Sequence, residues 1–201
     1  MVKIREIMCK TVHTLPKTSL VSDAAKIMRE NNISSIVVLE QGNAIGIVTE
    51  RDITQKYVAL AMKPSAAIGE IMSSPIYITT PDKDAVGIAS VMKQMNIKKI
   101  PVMDKGKLIG IVTDTDLIDG FVKALSSLSR DVEKSKINKA QYYQKTQDLL
   151  DNINASFKRT RVWHMFCKTC SRKFYLQEND GKMQSDNCPY CGSMDIDYNK
   201  G

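Results

Sequence analysis

Histidine is nearly missing from this chain: only His13 and His164 occur in 201 residues. There is also no Gly-x-Ser-x-Gly elbow and no P-loop, so no nucleophile–base constellation is visible and catalysis is not expected. No apolar run approaches the roughly 20 residues needed to cross a bilayer, which excludes a spanning helix. Aromatics make up 6% of the chain, and only Tyr57 and Tyr77 fall in the first 120 residues. Apolar residues nevertheless reach 43%, too many for wholesale disorder. The opening Met-Val-Lys-Ile-Arg-Glu places a carboxylate where a signal peptide would begin its apolar stretch. A cytoplasmic protein is expected, in which the five cysteines stay reduced or bind metal.

The net charge of +7 is unevenly distributed. Residues 1–120 carry +2, residues 121–166 carry +5, and residues 167–201 are neutral. A basic excess can signal nucleic-acid binding through counterion release. Here most of it lies in one polar connecting stretch, where a solvated helix is the favoured reading.

One internal offset recurs, at 64 residues. Ile4-Arg5-Glu6-Ile7-Met8 matches Ile68-Gly69-Glu70-Ile71-Met72, and Ala44 to Ile53 matches Leu108 to Leu117. Only the stretch around Pro16 and Pro81 slips by one residue. Each copy predicts a short strand around Val12 or Ile76 to Ile78, then a helix carrying Ala24, Ala25, Ile27 and Met28, or Ala85, Ile88, Ala89, Val91 and Met92. Two β-branched strands follow, Ile36–Leu39 with Ala44–Thr49 and Ile100–Asp104 with Lys107–Thr113, around Gly42 and Gly106 turns. A second helix is expected from Asp52 and from Asp116. About 60 residues is small for an independent core, so the two β-α-β-β-α copies are expected to pack as one body.

Gly-apolar-apolar-Thr-x-x-Asp occurs twice, at Gly46 to Asp52 and Gly110 to Asp116. With the repeat around it, this resembles the cystathionine β-synthase (CBS) domain pair over residues 1 to about 124. The resemblance implies an α+β fold, two pseudo-symmetric CBS repeats, and a cleft between them that holds adenosine ligands. It implies ribose contacts for Asp52 and Asp116 and hydroxyl contacts for Thr49 and Thr113. Thr-x-x-Asp is also a capping box, worth about 1 kcal/mol to the helix it starts. The two readings are compatible, because a helix N-terminus favours phosphate.

The adenine is expected among aliphatic side chains, from Val12, Ile36, Ile76, Ile100 and Pro101. His13, Arg51, Lys98 and Lys99 are the candidates for phosphate. These cations are asymmetric: Thr115 corresponds to Arg51, and Ser34-Ser35 corresponds to Lys98-Lys99. One site is therefore expected to favour anions more than the other.

Cys167, Cys170, Cys188 and Cys191 form C-x2-C-x17-C-x2-C. Four thiolates on two tight turns suit a tetrahedral metal. Between them Asn179-Asp180-Gly181 reads as a hairpin turn, and Arg161 to Phe166 as a further strand. The segment resembles zinc ribbons and, through Cys188-Pro189-Tyr190-Cys191-Gly192, rubredoxins. Ser171 stands where rubredoxins carry glycine, and acidic residues are few, so Zn2+ is favoured over Fe2+ or Fe3+. Cys9, opposite Ser73 in the repeat, is read as a packing residue, and His164 is not needed as a ligand.

Residues 121–160 lack proline and glycine, with apolar stripes at Phe121, Leu125, Leu128 and Val132 and at Leu149, Ile153 and Phe157. The expected organisation is CBS repeats over 1–62 and 63–124, a helical connector over 125–160 and a small all-β metal ribbon over 161–201. The expected function is a non-enzymatic regulatory module that binds AMP, ADP or ATP, relays this to the ribbon, and pairs as a homodimer through its CBS repeats and connector helices. A regulated protein partner is part of that expectation. Two other readings stand beside it: a nucleic-acid-binding regulator using Lys134, Lys136 and Lys139, and a rubredoxin-like electron carrier.

Overall fold

The computed structural model describes residues 2–133, 138–170, 173–179, 182–183, 187–188, 191 and 193–198. Lys134, Lys136, Ser171, Asp180, Gly181, Pro189, Tyr190 and Gly192 therefore lie outside the described residues.

The first copy contains α1 (Ile4–Ile7), β1 (Thr14–Pro16), α2 (Val21–Glu30), β2 (Ser35–Glu40) and β3 (Asn43–Thr49). It ends in α3 (Glu50–Asp52), which runs on into a π-helical turn, Ile53–Val58. The second copy contains α4 (Ile68–Ile71), α5 (Ala85–Met95), β4 (Lys99–Asp104), β5 (Lys107–Thr113) and the long α6 (Asp114–Glu133). In both hairpins the turn residues, Gln41-Gly42 and Lys105-Gly106, have positive φ, the conformation that matches strand twist. Both carry a bulge at the same place, between Val38 and Leu39 and between Val102 and Met103.

The copies differ at their first strand. It lies two residues beyond Val12, at Thr14–Pro16, parallel to β2 with Thr14 opposite Val37. In the second copy no strand spans Ile76 to Ile78; pairing shrinks to the single bridge Thr79–Val102. Two prolines explain the loss. In the first copy Val37 N–H donates to His13 O (3.1 Å) and Lys17 N–H to Leu39 O (3.3 Å). The offset stays at 64 here with no one-residue slip, since Ser19 N–H to Pro16 O is repeated by Lys83 N–H to Thr80 O. The residues 64 places on from these donors are Pro101 and Pro81, which have no N–H to give.

The two copies are interleaved. Ile4 of α1 is fully buried in the core of the second copy, with Ala85, Ile88, Val91, Ile100 and Val112. Ile68 and Ile71 of α4 are buried in the core of the first, with Val21, Ala24, Ile36 and Val48. A third cluster, Val37, Ala44, Ile76, Ile78 and Met103, seals the contact between them. Neither copy can therefore close its core without a segment of the other.

Beyond α6, α7 (Lys139–Arg159) starts at a reciprocal cap, in which Gln141 N–H donates to Asn138 Oδ1 (2.8 Å) and Asn138 N–H to Gln141 Oε1 (3.0 Å). Then come β6 (Thr160–Cys167), β7 (Lys173–Asn179), β8 (Lys182–Met183) and β9 (Ile196–Tyr198), an antiparallel sheet in the order β8-β7-β6-β9. Both α7 and β6 pack on α5. There, Tyr175 of β7 meets the buried Tyr77 with ring centroids 6.2 Å apart. On α6, Phe121 turns inward to the second core, whereas Ile118, Val122 and Leu125 face outward. No described helix is long and apolar enough to cross a membrane.

Candidate functional site

Each Thr-x-x-Asp sits where a strand runs directly into a helix. Thr49 and Thr113 are the last residues of β3 and β5, and extended backbone at Thr49 (φ −121°, ψ 163°) leaves its side chain over the first helical turn. Thr49 N–H and Oγ–H donate to Asp52 Oδ2 at 3.0 and 2.6 Å, and Asp52 N–H returns to Thr49 Oγ1 at 3.2 Å. Thr113 and Asp116 repeat this at 2.8, 2.7 and 3.1 Å. The helices thus begin at Glu50 and Asp114, two residues before the expected positions, because the threonines cap them. Each threonine hydroxyl spends its one proton on its aspartate, so it has none to donate to a phosphate oxygen.

Two clefts related by the repeat open beside these turns. One, of about 500 Å3, is lined by Arg51, Asp52, Lys56, Ser73, Lys98 and Lys99 among others. The other, of about 310 Å3, includes Val12, His13, Lys99, Thr113, Asp114 and Asp116. Each joins one copy's Thr-x-x-Asp to the other copy's segment ahead of its middle strand; Ser34 and Lys99 border both. A third cleft, of about 630 Å3 along Ala25, Met28, Arg29 and Thr54, contains none of the candidate residues.

Of the aliphatic candidates, only Val12 lines either cleft. Ile36 and Ile100 are fully buried in the two cores, Ile76 lies in the seam between the copies, and Pro101 is buried in β4. Residues 36, 100 and 101 lie within strands that form the hairpin cores.

The two aspartates are not equivalent. Besides Thr49, Asp52 receives Lys56 Nζ (2.7 Å) and Ser73 Oγ (3.1 Å), both on Oδ1. Burial, the largest influence on Asp52, raises its pKa; the bonds from Lys56 and Thr49 together with the Lys56 charge outweigh burial and hold it below the usual carboxylate range. Asp116 Oδ1 has no partner among the described residues. Sequence reasoning missed Lys56 and Ser73. The available signals were the i,i+4 spacing from Asp52 and the Ser73–Cys9 mismatch within the repeat.

At the other end of the chain, the Sγ atoms of Cys167, Cys170, Cys188 and Cys191 all lie within 4.8 Å of one another. Cys167 to Cys191 and Cys170 to Cys188 are each 3.6 Å. Sulfurs about 2.3 Å from a tetrahedral zinc stand roughly 3.8 Å apart, so the four thiols fit such an ion. Burial pushes the Cys167 thiol up, but the Cys170 N–H and the neighbouring cysteines pull it down to about 7, towards the thiolate a metal needs. All four coordination positions would then be filled by protein.

The duplicated unit has counterparts outside this chain. A model of the CBS domain covers residues 4–59 and 68–123. The chain belongs to the CBS domain family. The CBS domain-containing protein YhcV of Bacillus subtilis is 29% identical over 117 residues, 58% of this chain and 84% of that protein. Protein MJ1404 of Methanocaldococcus jannaschii is 33% identical over 176 residues, 81% of this chain but 41% of the relative. Among solved structures, the CBS domain pair of protein MJ0100, in complex with 5′-methylthioadenosine and S-adenosyl-L-methionine, is 29% identical with a TM-score of 0.55, over 61% of this chain and 98% of that one.

Proposed function

We propose that this CBS pair is a non-enzymatic, cytoplasmic regulatory module that binds an adenosine-containing ligand, of the AMP, ADP or ATP class or a related adenosyl compound, between its repeats. The observation that carries this reading is the half-used carboxylate of Asp116. Its Oδ2 is held by Thr113, and Oδ1 keeps two acceptor sites for a ribose diol. Val12 supplies an apolar contact in the same cleft, and the MJ0100 pair, a structural relative, holds two adenosyl ligands.

In this reading the ligand signal passes through α5. Asn96 and Ile97, directly after α5, line the Asp52 cleft, while α5 itself carries α7 and β6. The four cysteines bind one Zn2+, with iron as the alternative metal, and make the 161–201 segment a zinc ribbon. The outward Val58, Leu60, Ile118 and Val122 supply an apolar face for a second copy; Val58 and Val122 are repeat equivalents.

The test is a thermal-shift and calorimetric screen of the full chain against AMP, ADP, ATP, S-adenosylmethionine and NAD, with metal analysis of the same sample. Micromolar to millimolar dissociation constants are expected, about −8 to −4 kcal/mol. Absence of any adenosine-dependent stabilisation overturns the reading.

A further inference from the structure

We infer that the two clefts divide the recognition of ligand chemistry between them: the Asp116 cleft takes an adenosyl group without net negative charge, and the Asp52 cleft takes an anion, not a ribose. This rests on the adenosine-binding reading above and deepens it.

The first argument counts acceptor sites. A carboxylate offers about four, two per oxygen. Asp52 uses all four, on Thr49 N–H, Thr49 Oγ–H, Lys56 Nζ and Ser73 Oγ–H. A ribose diol would have to displace an ion pair and a hydroxyl from a buried carboxylate. Asp116 uses only two, both on Oδ2. The sequence explains the difference. The residues 64 places on from Lys56 and before Ser73 are Gly120 and Cys9. A Cβ at Gly120 would come within 2.7 Å of Ile7 Cγ2, so no lysine fits there as packed. The Cys9 thiol is directed to Thr11 O, 3.5 Å away.

The second argument is charge. The Asp52 cleft collects Arg51, Lys56, Lys98 and Lys99 against Glu50 and Asp52. The Asp116 cleft collects Lys99 and the imidazole of His13, which is counted as neutral, against Asp114 and Asp116. With Lys56 neutralised by Asp52, three cations face one carboxylate in the first, and one cation faces two carboxylates in the second. A phosphate is therefore attracted to the first cleft and repelled from the second. A neutral or sulfonium-bearing adenosyl group suits the second.

Calorimetry on the full chain tests the division, with adenosine, 5′-methylthioadenosine, AMP and inorganic triphosphate as probes. Adenosine and methylthioadenosine are expected to bind tighter than AMP at the Asp116 cleft. Asp116→Asn is expected to weaken adenosine about 10- to 100-fold while leaving triphosphate at least as tight. Asp52→Asn should leave adenosine unchanged, and the exposed pair Arg51→Ala with Lys98→Ala should remove triphosphate binding alone. Because Asp116→Asn also alters a helix cap, Thr115→Arg, at an exposed position, provides a second reading: it should raise AMP affinity and leave adenosine unmoved. The division is overturned if Asp52→Asn weakens adenosine as much as Asp116→Asn, or if one variant removes adenosine and triphosphate together. If no probe binds the wild-type chain, the adenosine reading itself has failed, which is a different result.

Discussion

Lys56 Nζ lies 2.7 Å from Asp52 Oδ1, one turn further along the same helical segment, and also donates to Ile71 O at 2.7 Å. It joins the Thr49–Asp52 cap of the first copy to α4, an element contributed by the second. Removing the ammonium leaves a buried carboxylate and a carbonyl short of a donor. Lys56→Met is expected to lower unfolding stability by about 1–3 kcal/mol. Lys63→Met, at an exposed lysine, serves as the neutral control in urea unfolding.

Asp52 also sets a pH dependence. Its folded pKa is lowered, so its contribution is present above the unfolded carboxylate value and is lost as pH falls through the folded one. The stability gap between wild type and Asp52→Asn is therefore expected to be widest near neutrality and to shrink in acid, below the ordinary carboxylate range. Urea titrations at a series of pH values measure it. A gap that widens on acidification contradicts the assignment.

Gly110, inside the Gly-x-x-Thr motif, is required for packing. A Cβ there would stand 2.9 Å from Cys9 O and 2.8 Å from Met8 Sδ. The methionine can move, but the carbonyl is fixed by the Cys9–Ile111 bridge. Gly110→Ala should cost about 1–3 kcal/mol and loosen the strap that carries α1 onto the second copy. Hydrogen exchange at the Cys9 and Ile111 amides, compared with urea stability, reads both effects.

Tyr77 and Tyr175 join the second CBS copy to the terminal sheet. Burial raises the Tyr77 hydroxyl pKa well above its ordinary value, and its ring is tilted 34° to that of Tyr175. A double-mutant cycle with Tyr77→Leu and Tyr175→Leu is expected to give a coupling of about 0.5–1.5 kcal/mol. A coupling near zero would mean that the sheet rides on the CBS pair without energetic connection through this contact.

The duplicated hairpins, their turns and both amphipathic helices were legible in the chain because each is set by short-range pattern: alternation, Gly turns and apolar spacing at α2 and α5. The exchange of α1 and α4 was not legible, since Ile4 and Ile68 look alike and only tertiary packing decides whose core each enters. The unequal first strands were readable in principle, from Pro81 and Pro101 opposite Lys17 and Val37, but only once the ladder donors were known. At the candidate site the aspartates were identified and their inequivalence was not, because it depends on Lys56 and Ser73. On α6 only Phe121 of the expected stripe packs on a core cluster among the described residues, while Leu125 faces outward with Ile118 and Val122.

The terminal sheet offers the clearest test of metal dependence. Among the described residues its buried cluster is Met165, Cys167, Leu176 and Cys188, and two of these are candidate ligands. A segment of about forty residues has little core to offset the entropy of ordering it, whereas a structural metal contributes on the order of 10–16 kcal/mol. One metal ion per chain is expected, and Cys188→Ser should lower that occupancy. Stripping the metal with a chelator should unfold β6 and β7, seen in the emission of Trp163, the chain's one tryptophan. The three CBS clusters contain none of the cysteines concerned and should keep their unfolding transition and their ligand binding. A metal-free chain whose Trp163 emission and β6 exchange protection are unchanged would show that packing on α5 alone holds the sheet.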